Sequence, residues 1–149
     1  MEVKVKEARI STTPGSMAVN KIDLKKHLKE ALPPEDTVKE INKYLDGFEN
    51  VLSDDEGKVV PIGHNIYFDV DFLKRLFKQA GIPYMNYFSH RTIDTATLIR
   101  FFNLTGKLEL DSASLASACK YLGIKNTRKH NAFSDAVATA KVLQELLKF

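Results

Sequence analysis

Tryptophan is absent from this 149-residue sequence, and cysteine occurs once, as Cys119. A lone cysteine excludes an intrachain disulfide framework and a cysteine-based zinc site. Glycine (7) and proline (5) are too few for a collagen-like or low-complexity chain. No apolar run approaches the roughly 18 residues that a membrane span needs. The opening Met1-Glu2-Val3-Lys4-Val5-Lys6-Glu7 lacks the apolar core of a secretory signal. Charge is not one-sided either. With 22 Lys+Arg against 19 Asp+Glu the net is +3, which is compatible with nucleic-acid binding and demands nothing. The nearest thing to a basic cluster, Lys120, Lys125, Arg128 and Lys129, reads first as a solvated face. What is present, 44% apolar and 28% charged residues, fits one domain over 1–149 with a sizeable core. The expected setting is cytoplasmic.

Helical spacing dominates the chain. Asp23 is placed to cap a helix carrying Leu24, Leu28 and Leu32, which Pro33-Pro34 ends. A second helix starts at Pro34-Glu35-Asp36 and carries Val38, Ile41, Leu45 and Phe48. Asp54-Asp55-Glu56-Gly57 reads as a turn. Val59-Val60-Pro61-Ile62 reads as a short buried strand, with Pro61 unwelcome at its centre. The next helix sets Phe72, Leu73, Leu76 and Phe77 on one face and ends at Gly81. A brief strand or turn at Thr92-Ile93-Asp94 leads into a helix through Phe102. Asp111 or Ser112 is expected to cap a helix with Leu115, Cys119 and Leu122, closed by Gly123. The last helix, from about Asn131 to Leu147, shows an apolar face of Phe133, Ala136, Val137, Ala140, Leu143 and Leu147. Val3, Val5, Ala8 and Ile10 supply one more strand. Strands alternating with helices predict an α/β fold.

Two segments carry chemistry. Gly63-His64-Asn65-Ile66-Tyr67-Phe68-Asp69 lies where a strand turns into a helix, and ligand sites of open α/β sheets lie just beyond the carboxyl ends of strands. His130-Asn131-Ala132-Phe133-Ser134-Asp135 opens the last helix, with Asp135 on its polar side. Two carboxylates and a histidine are what metal-assisted hydrolysis of a phosphodiester requires: Mg²⁺ or Mn²⁺ takes oxygen ligands, and an imidazole titrating near about 6.5 can accept a proton from water. Each residue also has a plainer reading: Asp69 as a helix N-cap, Asp135 as a surface acid, His64 as a hydrogen-bonded core residue. Tyr84, Tyr87 and Phe88 either stack bases or pack the core.

Gly-His-Asn-x-x-Phe-Asp-x-x-Phe-Leu, followed about 60 residues later by His-Asn-Ala-x-x-Asp-Ala-x-x-Thr, resembles the DEDDh family of 3′–5′ exonucleases. That family has a ribonuclease H-like fold and includes the proofreading subunit of bacterial DNA polymerase III. The resemblance covers roughly residues 8 to 147, including Met17 to Asp23, Ile93-Asp94-Thr95 and the stretch from Ser114 to Ile124. It implies a five-stranded mixed sheet flanked by helices, with Asp69 and Asp135 as metal carboxylates and His130 as the general base. Two Mg²⁺ or Mn²⁺ ions would clamp the terminal phosphodiester. His64 and Asn65 would support the substrate end and Phe68 would pack beneath the site. Asp94 reads as the cap of the helix that follows it.

The family's first motif, Asp-x-Glu on the first strand, has no counterpart before Ala18. The one Asp-x-Glu in the chain, Asp54-Asp55-Glu56, belongs to the turn before Val59, at the wrong end of that strand. Two divalent ions carry four positive charges, and Asp69 with Asp135 supplies two negative ones, so a two-ion clamp is incomplete and one ion or none is expected. The fold expectation is therefore an N-terminally truncated sheet without its first two strands. At about 4.8 Å per strand, their absence parts the flanking strands by about 14 Å. An open edge of that kind invites a homodimer or a partner chain. The leading expectation is a 3′–5′ exonuclease-type domain acting on single-stranded 3′ ends of DNA or RNA, impaired as it stands. The alternative is a non-catalytic member of the same fold that binds nucleic acid or protein. A different metal hydrolase would need further ligands, and neither His27 nor His90 has a neighbour at ligand spacing.

Overall fold

Local chemistry starts and stops each helix. The Asp23 carboxylate accepts the Lys26 N–H at 3.1 Å and opens α1 (Leu24–Glu30). Pro34 takes the first position of α2 (Pro34–Asp46), where its missing N–H costs nothing, and the Thr37 hydroxyl donates back to the Pro33 carbonyl at 2.9 Å. Gly81, at φ +68°, lies just beyond α3 (Tyr67–Gln79). Asp94 caps α4 (Thr95–Leu104). Ser114, not Asp111 or Ser112, caps α5 (Leu115–Tyr121) by accepting the Ser117 N–H at 3.2 Å. The Ser112 hydroxyl instead accepts the Ser114 N–H at 3.2 Å and so shapes the approach to that cap. The chain closes with α6 (Ala132–Leu146). This computed structural model describes residues 4–6, 23–48, 51–125 and 132–149.

Between the helices, β1 (Ile62–Gly63) pairs in parallel with β2 (Ile93–Asp94), Ile62 opposite Ile93. The architecture is α/β as expected, and among the described residues the sheet has two parallel strands and a few isolated bridges. Pro61 offers no N–H to a ladder. Its carbonyl accepts the Ile93 N–H at 3.0 Å, while Val59 makes only single bridges, to Ser53 and Phe88. Of the expected N-terminal strand, Val5 bridges Leu32. Val3, Ala8, Ile10 and residues 17–22 lie outside the described residues, as do Arg128 and Lys129 of the basic cluster.

Two apolar cores organise the described residues. One surrounds the fully buried Phe77 with Val38, Ile66, Val70, Tyr84 and Phe88. Tyr84 and Phe88 stack at 5.0 Å and Phe77 meets each edge-on, so these aromatics pack the core. The other core gathers Ile99, Leu108, Cys119, Val142 and Leu146 from α4, α5, α6 and the loop before α5.

The buried side of α6 differs from the expected one. Ala138, Thr139, Val142 and Leu146 face inward, whereas Phe133, Ala136, Val137, Ala140 and Leu147 face out. Alanines and β-branched residues let α6 approach α4 and α5 closely, and the bulkier stripe is left outside. Phe68 is likewise 61% exposed and meets Phe72 edge-on, so it does not pack beneath anything.

Candidate active site

The turn from β1 into α3 is held by side chains of the β2–α4 junction. A Cβ on Gly63 would lie 2.9 Å from the Cβ of Ile66, a core residue, so only hydrogen fits there. Asn65 adopts φ +56°, a left-handed conformation that asparagine tolerates better than most residues. Its N–H donates to Asp94 Oδ1 at 2.8 Å. The same oxygen accepts the Ala96 N–H at 3.0 Å, and Oδ2 accepts the Thr97 hydroxyl at 3.0 Å. One carboxylate thus caps α4 and ties down the turn that leads to Asp69.

A second tie runs through His64. The buried Thr95 hydroxyl donates to the Gly63 carbonyl at 3.1 Å and lies 2.9 Å from His64 Nδ1. A hydroxyl has one hydrogen, so with that hydrogen on the Gly63 carbonyl the Thr95 oxygen is left to accept from His64 Nδ1. Nε2 is buried without a hydrogen-bond partner among the described residues. Burial holds the imidazole below its ordinary range, a shift that the Asp94 charge and the Ala113 carbonyl partly oppose.

Asp69 is the third residue of α3, where the helix amides favour a negative charge. It lines a cavity of about 780 Å³ between α2, α3 and the first turns of α6. The walls include Ile41, Tyr44, Phe72, Ala132, Phe133 and Ala136, and Asp69 is the single carboxylate among the described lining residues. Loss of hydration there pushes its carboxyl up from the ordinary value. Arg75 lies on the same lining, its guanidinium 4.5 Å from the Phe72 ring centroid.

Asp69 and the head of α6 therefore meet at one cavity, but Asp135 is not among its walls. Asp135 is half-buried in the first turn of α6, where its charge, after burial, helps raise the Cys119 thiol. His130 lies outside the described residues. Among the described residues no three His, Cys, Asp or Glu side chains converge as a metal group would require.

Asp54-Asp55-Glu56 is committed elsewhere. Asp54 accepts the Glu56 and Lys58 amides at 3.0 Å, with the Ser89 hydroxyl the main influence holding its carboxyl low. Asp55 pairs with Arg91 at 3.2 Å and Glu56 with Lys58 at 2.5 Å. The double duty of Asp94 and the part played by Thr95 escaped the sequence reading. The signal available was the Asp-Thr pair at the start of a helix, which marks a cap and says nothing of what else the carboxylate holds.

Comparison with known proteins bears on the family. The family model DEDDh_C, described as DNA polymerase III subunit epsilon-like, C-terminal domain, matches residues 15–146. The chain is 31% identical over 134 residues to ribonuclease T of Buchnera aphidicola, covering 89% of this chain and 57% of that protein. It is 25% identical over 139 residues to the 3′-5′ exonuclease DinG of Staphylococcus aureus, covering 93% and 15%. An 87-residue stretch is 36% identical to the PolC-type DNA polymerase III of Bacillus cereus, covering 58% and 6%. The chain thus spans between 6% and 57% of the lengths of these relatives. Among the described residues no helix is long and apolar enough to cross a membrane.

Proposed function

The chain belongs to the DEDDh family of 3′–5′ exonucleases, and from that premise we propose that it is a phosphodiester-hydrolysing domain acting on the 3′ ends of single-stranded DNA or RNA. The observation that carries the reading is the cavity at which Asp69 faces the first turns of α6. Two segments more than 60 residues apart, picked out for their residue types, border one recess large enough for a terminal nucleotide.

Asp69 supplies one donor of the kind a hard cation takes. Carboxylate oxygens are the ligands Mg²⁺ and Mn²⁺ prefer, and an acid whose negative form is disfavoured by lost hydration gains most from a cation. Asp69 would hold the ion, with Asp135 as its second carboxylate after a side-chain rearrangement. When bound, a divalent ion lowers the pKa of water and neutralises charge on the phosphate. Two carboxylates fit one ion better than two, so activity is weak. His130 is the base that removes the proton from the attacking water. His64 and Asn65 hold the turn on which α3 begins, and so fix where Asp69 stands.

The exposed α6 stripe of Phe133, Val137 and Leu147, continuous with the cavity wall through Phe133, supports association with a partner chain or a second copy. The non-catalytic alternative keeps the cavity and the binding without the chemistry. A 5′-labelled oligonucleotide incubated with the chain and Mn²⁺ tests the reading: slow shortening from the 3′ end, absent in Asp69→Asn, is expected. Stable binding without shortening would replace it with the non-catalytic one.

A further inference from the structure

A second, smaller cavity of about 420 Å³ opens beside Asn65, on the side of the β1–α3 turn where α4 and the 110–114 loop meet. Its lining is polar: Asn65, Arg100, Asp111, Ser112 and Ser114 contribute most of it. We propose that this cavity is a subsite for a backbone phosphodiester of the nucleic-acid strand, with Arg100 as its principal ligand. The proposal rests on the nuclease reading and extends it to a residue outside both motifs.

Arg100 is exposed on α4 and makes no ion pair with a described carboxylate. Its charge is nonetheless near the turn, because it contributes to the lowered affinity of His64 for a proton. The Asn65 backbone is clamped by Asp94, yet no described group takes its side-chain amide. The Ser112 oxygen accepts the Ser114 N–H, leaving its own hydrogen to give. A guanidinium, an amide and a hydroxyl therefore face one recess as donors, the set that a phosphodiester oxygen pair needs.

The recess is also preformed. The Asn103 side chain holds the loop from both sides, donating to the Leu110 carbonyl at 2.8 Å and accepting the Leu110 N–H at 3.2 Å. The left-handed turn at Asn65 keeps that residue at the rim. Asn65 and Asp69 stand on either side of the start of α3, so the two cavities lie at the two ends of one short stretch of chain.

Asp111 is the acceptor in the set and selects among anions. Its negative charge opposes any anion, and opposes the second charge of a monoester or of inorganic phosphate on top of the single charge of a diester. Inorganic phosphate should therefore compete poorly with an oligonucleotide.

The test is binding of a 5′-labelled oligothymidylate in chelator, followed by fluorescence anisotropy over a range of salt, so that affinity is read without cleavage. Arg100→Gln should weaken binding about tenfold and reduce the slope of log affinity against log salt by about 0.7. Arg100→Lys should hold the slope. Asn65→Gly, which keeps the left-handed turn and removes the amide, should weaken binding about threefold. Asp111→Asn should tighten it, and millimolar inorganic phosphate should leave it unchanged. If the wild type binds and Arg100→Gln superimposes on it at every salt concentration, the subsite is overturned and the nuclease reading stands. If the wild type binds no oligonucleotide, the subsite is overturned, and the Mn²⁺ shortening assay decides the nuclease reading by itself.

Discussion

Replacing Asp94 by alanine removes, in one step, the hydrogen bonds to the Asn65 N–H, the Ala96 N–H and the Thr97 hydroxyl. Loss of the α4 cap alone costs about 1 kcal/mol. The Asn65 N–H is part-buried and loses its acceptor, which adds about 1 kcal/mol. The Thr97 hydroxyl is exposed and turns to water at little cost. The sum, about 2 kcal/mol, corresponds to a fall of about 4–8 °C in Tm for a chain of this size. Asp94→Asn keeps an oxygen in the same place, and asparagine caps helices as well as aspartate, so it should lose less than half as much. Urea denaturation of the three proteins gives the comparison directly. The loop clamp is refuted if Asp94→Ala costs no more than the cap alone, about 1 kcal/mol. It is refuted equally if Asn and Ala cost the same.

Three further outcomes follow from the same geometry. Gly63→Ala must displace Ile66, whose Cβ and Cγ1 would stand 2.9 and 3.0 Å from the new methyl, and should cost about 1–3 kcal/mol in chemical denaturation. His64 takes up a proton less readily folded than unfolded, so the unfolded chain binds more protons once the pH drops below about 6.5. Stability should then fall with acidification from that point, and the Tm difference between wild type and His64→Gln should narrow between pH 7.5 and 5.5. Asp69 is the opposite case: its carboxyl is raised in the fold, so its contribution weakens as pH rises above the ordinary carboxylate value. Asp69→Asn should therefore be no less stable than the wild type at pH 7 in a thermal melt, although it loses whatever nuclease activity the chain has.

Much of the helical frame was legible because its signals are local. Asp23, Pro34 and Gly81 act within one turn of themselves, and each does what its type and place imply. Asp94 was legible as a cap for the same reason. Its second task was not, since the Asn65 N–H reaches it from 29 residues away and only the pairing of β1 with β2 brings the two together. The α6 face was misjudged because Phe133 and Val137 look like core by hydropathy, while the helix packs through Ala138 and Val142 instead. A residue list cannot say which of two apolar stripes a helix buries when both exist. The Val59–Ile62 strand is shorter than its apolar run because Pro61 has no N–H to give a ladder, so pairing starts at Ile62 and Val59 makes single bridges. The two motif segments were found by residue type and spacing. Their meeting at one cavity, with Asp69 on its wall and Asp135 not among the lining residues, needed the fold.

The central claim is that Asp69 and the first turn of α6 make one cation site. Mn²⁺ titration followed by electron paramagnetic resonance, on the wild type and on Asp69→Asn and Asp135→Asn, tests it most directly. One weakly bound ion per chain is expected, lost in both variants. Binding that survives either substitution unchanged would contradict the claim, because the two carboxylates would then not share an ion.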